Sequence, residues 1–190
     1  PDAALLEAAG TVANVMTPNV IAVDIESSMT DAAARMVEAH VHRVFVTARG
    51  DVVGVLSTWD IMAAVEAVRV AKPASEFMST PVFTVRASET IALASERLGK
   101  AHVTGLLVVD ESEWPVGVFS QREALEAGDA PRSATVESAM NAAVLTLPDR
   151  TSLHNVARQA RAMNARRVAV MNRHELVGIM TGVDFAKAIQ

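Results

Sequence analysis

The chain has 190 residues, a formal net charge of −5, no cysteine and few aromatic residues (five Phe, two Trp, no Tyr). The missing thiols exclude disulfide frameworks, thiolate metal sites and cysteine nucleophiles, and they fit a reducing compartment such as the cytoplasm. The acidic balance and scarce rings argue against nucleic acid, and no charge-free stretch reaches the roughly 18 residues that a membrane-spanning helix needs.

In chain order, the first residues lack the basic flank and apolar core of a signal peptide, and residues 3–9 read as a free helix. Residues 12–16 and 20–23 are apolar around Thr17-Pro18-Asn19, the pattern of a strand entered through a turn. Ser28-Met29-Thr30-Asp31 is a capping box, and Met29, Ala32, Ala33, Met36 and Val37 follow at helical spacing. Residues 44–46 and 52–56 are β-rich and flank Ala48-Arg49-Gly50-Asp51, which has hairpin chemistry. Ser57 and Asp60 open a second helix through Ile61, Ala64 and Val65. The unit is strand–helix–strand–strand–helix.

The unit then recurs. Met16, Met78 and Met140 stand 62 residues apart, each four residues before a valine (Val20, Val82, Val144). Each copy closes on Gly-apolar-apolar-[Ser/Thr]-x-x-[Asp/Glu], beginning at Gly54, Gly117 and Gly178. The first helix restarts near Ser88 and Ser152, and the linkers at Lys72-Pro73 and around Ala130-Pro131 carry boundary signals. Repeats at 1–70 (with the N-terminal helix), 71–130 and 131–190 follow. A small sheet with two helices cannot close a core alone, so such units must pair.

At these residues the chain resembles the cystathionine-β-synthase-type (CBS) repeat, from about Thr11 to Ile189. The resemblance rests on the openings Val15-Met16-Thr17-Pro18, Phe77-Met78-Ser79-Thr80-Pro81 and Ala139-Met140-Asn141-Ala142 and on the three closing signatures. It implies an α/β fold of three tandem β-α-β-β-α repeats pairing around pseudo-twofold axes, as in Bateman modules. Clefts between such repeats bind adenosine compounds. The closing aspartate would hold the ribose hydroxyls, the preceding Ser or Thr would add a hydroxyl contact, and the backbone of Thr17, Pro18 and Val20, and of Asn141 and Val144, would line the adenine slot. Ser57 with Asp60, and Thr181 with Asp184, match in full. The second copy, with Ser79, Val82, Ser120 and Glu123, is the weaker site, because glutamate's extra methylene would misplace the carboxylate.

A structural reading stands beside the functional one. Ser-x-x-Asp and Ser-x-x-Glu are capping boxes, which satisfy the free N–H groups at a helix start, and Glu123 serves there as well as aspartate. A second constellation precedes each hairpin: His40, His42 and Arg43, then His102 followed by Thr104 and Gly105, then Asn164, Arg166 and Arg167. The first and third copies are basic and suit phosphate, while the second retains only His102. As a bland alternative these are solvated loops. Trp59 either packs between repeats or shields a bound base, with packing the preferred role. The methionines fill core positions.

No Rossmann or Walker loop, nucleophile elbow or metal-ligand spacing occurs. His154 and His174 read as surface residues. The expected function is a non-catalytic module that binds AMP, ADP or ATP, with or without magnesium, and transmits occupancy to an attached or partner protein. The alternatives are a scaffold that binds no nucleotide and, behind it, a small nucleotide-processing enzyme. Three is an odd count for a pairing fold: repeats one and two, or two and three, would form a module, with a second subunit or a fourth repeat completing the rest. A homodimer is the expectation.

Overall fold

A computed structural model describes residues 10–14, 16–128, 130–131 and 133–190, so the helix expected at residues 3–9 lies outside the described residues. The three repeats have the same plan. The first holds β1 (Ala22–Asp24), α1 (Met29–Glu38), β2 (Arg43–Ala48), β3 (Asp51–Ser57) and α2 (Thr58–Ala67). The second holds β4 (Thr84–Arg86), α3 (Ile91–Lys100), β5 (Gly105–Val109), β6 (Pro115–Ser120) and α4 (Gln121–Glu126). The third holds β7 (Leu145–Pro148), α5 (Leu153–Ala162), β8 (Arg167–Asn172), β9 (Glu175–Thr181) and α6 (Gly182–Lys187). Each repeat folds a three-stranded sheet whose first strand pairs parallel to the second and whose second and third form an antiparallel hairpin.

Local chemistry accounts for the boundaries. Ser28, Thr90 and Ser152 stand at the N-caps of α1, α3 and α5, and the caps opening α2, α4 and α6 are full capping boxes. Thr90, rather than Ser88, caps α3; its hydroxyl accepts from the N–H of Leu93 at 3.3 Å. His40, His102 and Asn164 all have φ near +52° and follow the C-caps of α1, α3 and α5. Their shared register is therefore that of a left-handed helix terminator. Residues 12–14 are not a strand: Val12–Asn14 is a 3-10 turn, as are Ala74–Glu76 and Val136–Ser138 at the same place in the later repeats.

These turns begin extended arms, and the arms of the second and third repeats are exchanged. Ala74 donates to the Thr151 carbonyl at 2.8 Å, and Val136 donates to the Glu89 carbonyl at 2.8 Å, 62 residues apart on both sides. Further along, Ser79 pairs with Ile179 and Asn141 with Val118 as isolated antiparallel bridges. The two arms thus cross over and lie on each other's sheets about a pseudo-twofold axis. At the hairpin tips the rings of Trp114 and His174 lie 6.3 Å apart. Strands β5 and β8 are buried on both faces.

The first repeat joins the third through helices. Ile61, Met62 and Val65 of α2 share one core with Leu153, Val156, Ala157 and Ala160 of α5 and with Phe185 and Ala186 of α6. The Thr58 hydroxyl occupies the space that a Cβ on Gly182 would need, so the starts of α2 and α6 touch. Glu66 pairs with Arg161 across this seam, and the carbonyls of Val70 and Lys72 accept the first N–H groups of α5. His154, expected on the surface, is half-buried there with Nδ1 2.9 Å from the Val70 carbonyl. The second repeat has its own core around Leu106, Val108 and Phe119, closed by Val136 from the third repeat's arm.

Two cores that do not merge give a test. Phe185→Ala in the shared core should cost about 3–5 kcal/mol in denaturant unfolding. Hydrogen exchange should then show α1 and α2 losing protection while β4–β6 keep theirs; Phe119→Ala should give the converse.

Candidate functional site

Arm exchange builds each cleft from two repeats. The third repeat's signature places Asp184 at the start of α6, where Oδ2 accepts the Thr181 N–H at 2.7 Å and the Thr181 hydroxyl at 2.9 Å. The other oxygen, Oδ1, accepts the Ser79 hydroxyl at 2.7 Å and Lys187 Nζ at 3.1 Å. Asp184 is buried and both its oxygens are engaged. Its neighbour from the arm is Ser79, not Asn141 as the linear order of the repeat suggests; Val82, further along, lies by Glu175 and Leu176 at the other end of β9. Beside this arm a cleft of about 370 Å³ is lined by Val82, Thr84, Glu113, His174, Glu175 and Leu176; Asp184 does not line it.

The reciprocal cleft belongs to Glu123 at the start of α4, with its Oε2 accepting the Ser120 N–H at 2.9 Å and the Ser120 hydroxyl. Asn141 of the third repeat's arm lies on the neighbouring strand, hydrogen-bonded both ways to Val118 at 2.9 Å. Glutamate completes a capping box here and is almost fully buried. The expected grouping is thus exchanged: Asn141 lies on the sheet that ends in Ser120 and Glu123, and Ser79 lies on the sheet that ends in Thr181 and Asp184. A strand that crosses to its neighbour changes partners without changing its place in the repeat.

Arg167 also crosses. Its guanidinium occupies the space in front of Gly105, where a Cβ would meet it at 2.5 Å, and Nη2 donates to the Thr104 hydroxyl at 2.8 Å. Burial disfavours its charge and Glu123 supports it. The second cleft, expected to be poor in basic groups, therefore receives an arginine from the third repeat. His102 contributes backbone geometry at the end of α3.

The first repeat's signature is open. Asp60 is exposed; Oδ2 accepts the Ser57 N–H at 2.8 Å and the Ser57 hydroxyl at 2.6 Å, and Oδ1 has no partner among the described residues. Trp59 is half-buried against the core shared by the first and third repeats, a packing position. Thr17, Pro18 and Val20 are exposed, and no isolated bridge joins them to another strand among the described residues.

The basic loops of the first and third repeats share one electrostatic neighbourhood. Partial desolvation holds His42 below its ordinary value of 6.5, and Arg167, Arg43 and Arg166 push the same way against Asp184. Its carbonyl accepts the Thr58 N–H at 3.0 Å, which fixes the loop to the start of α2. Among the described residues neither Arg43 nor Arg166 has a side-chain partner. Three arginines on two repeats thus surround His42, and Arg43 and Arg166 have unused donors suited to phosphate oxygens. No group of three or more His, Cys, Asp or Glu side chains able to hold a metal ion occurs among the described residues. No helix among them is long and apolar enough to cross a membrane.

The family model for the CBS domain matches residues 12–67, 74–129 and 136–190. Among curated relatives, homoserine O-acetyltransferase of Methanococcoides burtonii is 32% identical over 115 residues, covering 60% of this chain and 23% of its own length. The chain thus spans about a quarter of that relative. An uncharacterized conserved protein of Pyrococcus horikoshii has a solved structure with a TM-score of 0.80 at 21% identity, covering 92% of this chain and 81% of that one. A CBS domain protein of Pyrobaculum aerophilum, solved in complex with AMP, is 26% identical with a TM-score of 0.54, covering 59% of this chain and 88% of that one.

The depressed His42 makes stability depend on pH. A histidine with its folded value lowered binds its proton more readily when unfolded, so stability is full above about pH 6.5 and falls as pH drops through and below that value. Denaturant midpoints measured from pH 7.5 down to about 5.5 should fall more steeply for the wild type than for His42→Gln; parallel curves would show that the cluster does not act on His42.

Proposed function

The chain belongs to the CBS-domain family, and from that membership we propose that it is a non-catalytic regulatory module of the cytoplasm, binding an adenine nucleotide in clefts between its repeats. The observation that carries this reading is the meeting of three chemistries in one region. A carboxylate and hydroxyl stand at a helix start, an extended arm from another repeat lies alongside, and His42, Arg43, Arg166 and Arg167 cluster nearby. A carboxylate accepts two hydrogen bonds from a vicinal diol, extended backbone offers donors and acceptors to a base edge, and arginine forks bind phosphate bidentately. Asp60 has an oxygen open for a ribose. At Asp184 the diol would take over the positions that Ser79 and Lys187 hold.

The regulatory step is linkage. A ligand seated between one repeat's arm and another's helix start binds best when both are docked, so occupancy stabilises that arrangement by its differential affinity. An attached or partner protein that senses the arrangement is then controlled by the nucleotide. The AMP complex of the Pyrobaculum aerophilum protein supports adenosine phosphates as the ligand class. A scaffold without a ligand is the second reading, and the internal hydrogen bonds that already fill Asp184 and hold Glu123 favour it.

Calorimetry with AMP, ADP and ATP separates the two readings. Asp60→Asn with Asp184→Asn keeps a capping carbonyl but removes the charge that strengthens the hydrogen bonds to a diol, so affinity should fall at least about tenfold. No binding by the wild type to any of the three, or equal binding by the double variant, would refute the site.

A further inference from the structure

A further cleft, of about 660 Å³, lies on the helix seam between the first and third repeats. Glu66 and Arg69 line it from the end of α2 and the residues just beyond, and His154, Asn155, Arg158 and Arg161 line it from α5. It shares no lining residue with Asp60, Asp184, Glu123 or the arginines around His42. Its cations are under-used. Arg161 gives Nη1 to Glu66, but its Nε is buried with no partner, and none for Nη2 occurs among the described residues. Those two nitrogens form the edge of a guanidinium that takes two oxygens of one oxyanion. Arg69 has no side-chain partner among the described residues. Arg158 is steadied rather than spent: Nη2 donates to Asn155 Oδ1 at 3.2 Å, and the Asn155 amide donates to the Ser152 hydroxyl at 2.8 Å.

The fold does not require this charge. One 62-residue period earlier, Glu96 and Gly99 of α3 stand where Arg158 and Arg161 stand in α5. Arg69 has φ +55°, a left-handed turn that glycine or asparagine would make with less strain. We propose that this cleft is a binding site for a small phosphate dianion, held between Arg69 of the first repeat and Arg158 and Arg161 of the third. Three arginines against one carboxylate leave an excess of two positive charges, which a phosphate group of charge about −2 neutralises. A monocarboxylate would leave one of them over. The apolar lining is Ala63 and Ala67, too little to seat a nucleobase, so the site selects phosphate and not adenosine. Bound there, the anion bridges two repeats and stabilises their seam by its affinity for the docked form. The site is independent of nucleotide binding in the other clefts.

Nitrogen–proton correlation spectra of the 190-residue chain, titrated at constant ionic strength with inorganic phosphate and with ribose 5-phosphate, test the proposal. Saturable shifts are expected at the amides of residues 66–70 and 154–158 and at the Arg161 Nε–H. Arg69→Asn suits the left-handed turn and Arg158 is exposed, so Arg69→Asn with Arg158→Gln should leave the far-UV spectrum unchanged. The pair should weaken phosphate binding at least about tenfold. Tighter binding of ribose 5-phosphate would support the site as one for a phosphomonoester, and equal binding would support it as one for the free anion. No saturable shift with either probe at millimolar concentration, shifts that vanish at physiological salt, shifts confined to the residues around His42, or equal affinity in the double variant would overturn the proposal.

Discussion

A three-stranded sheet with apolar residues on both faces must be covered twice, and one repeat of this chain can cover only one of its own. Helices close one face, over Val44, Leu106, Val108, Val168 and Val170. The other face, with Leu107 and Val109 on β5 and Ala169 and Met171 on β8, is buried where the second and third repeats meet. Met78 packed on Gly178 and Met140 on Gly117 lock that arrangement. A side chain at Gly117 or Gly178 would meet the thioether well inside contact distance, so the glycine is required by close approach and not by its backbone angle.

From this constraint the functional geometry follows. Arms that cover a neighbour's sheet also run past the neighbour's helix starts, so the carboxylates that cap α4 and α6 each acquire an arm from another repeat. The helix seam between the first and third repeats brings their basic loops together, with His42 in the field of Arg166 and Arg167. A ligand that touches arm, helix start and basic cluster would read the relative placement of repeats. The clefts differ in ways that composition does not show: Asp184 is closed by Ser79 and Lys187, Glu123 faces an arginine lent by the third repeat, and Asp60 is open.

Local features were legible in the sequence because their causes are local. Ser57–Asp60, Ser120–Glu123 and Thr181–Asp184 announce capping boxes three residues apart, and all three are present. The hairpins and the 62-residue period were equally readable. His40, His102 and Asn164 gave a signal of a different kind: one register immediately after a helix, with asparagine among them, marks a left-handed terminator. Partnership between repeats was not readable. Met78 stands at the same distance from Gly117 as Met16 does from Gly54, within a residue, yet it packs on Gly178, because period records the unit and not its neighbour. The same blindness assigned Arg167 to its own repeat's cleft.

Whether each proposed cleft is shared between repeats is tested most directly by hydrogen–deuterium exchange with and without saturating AMP. Joint protection of an arm and a helix start from different repeats, residues 79–82 together with 181–184, is the expected result. Protection confined to segments of one repeat, 141–144 with 181–184 and no change at 79–82, would contradict it.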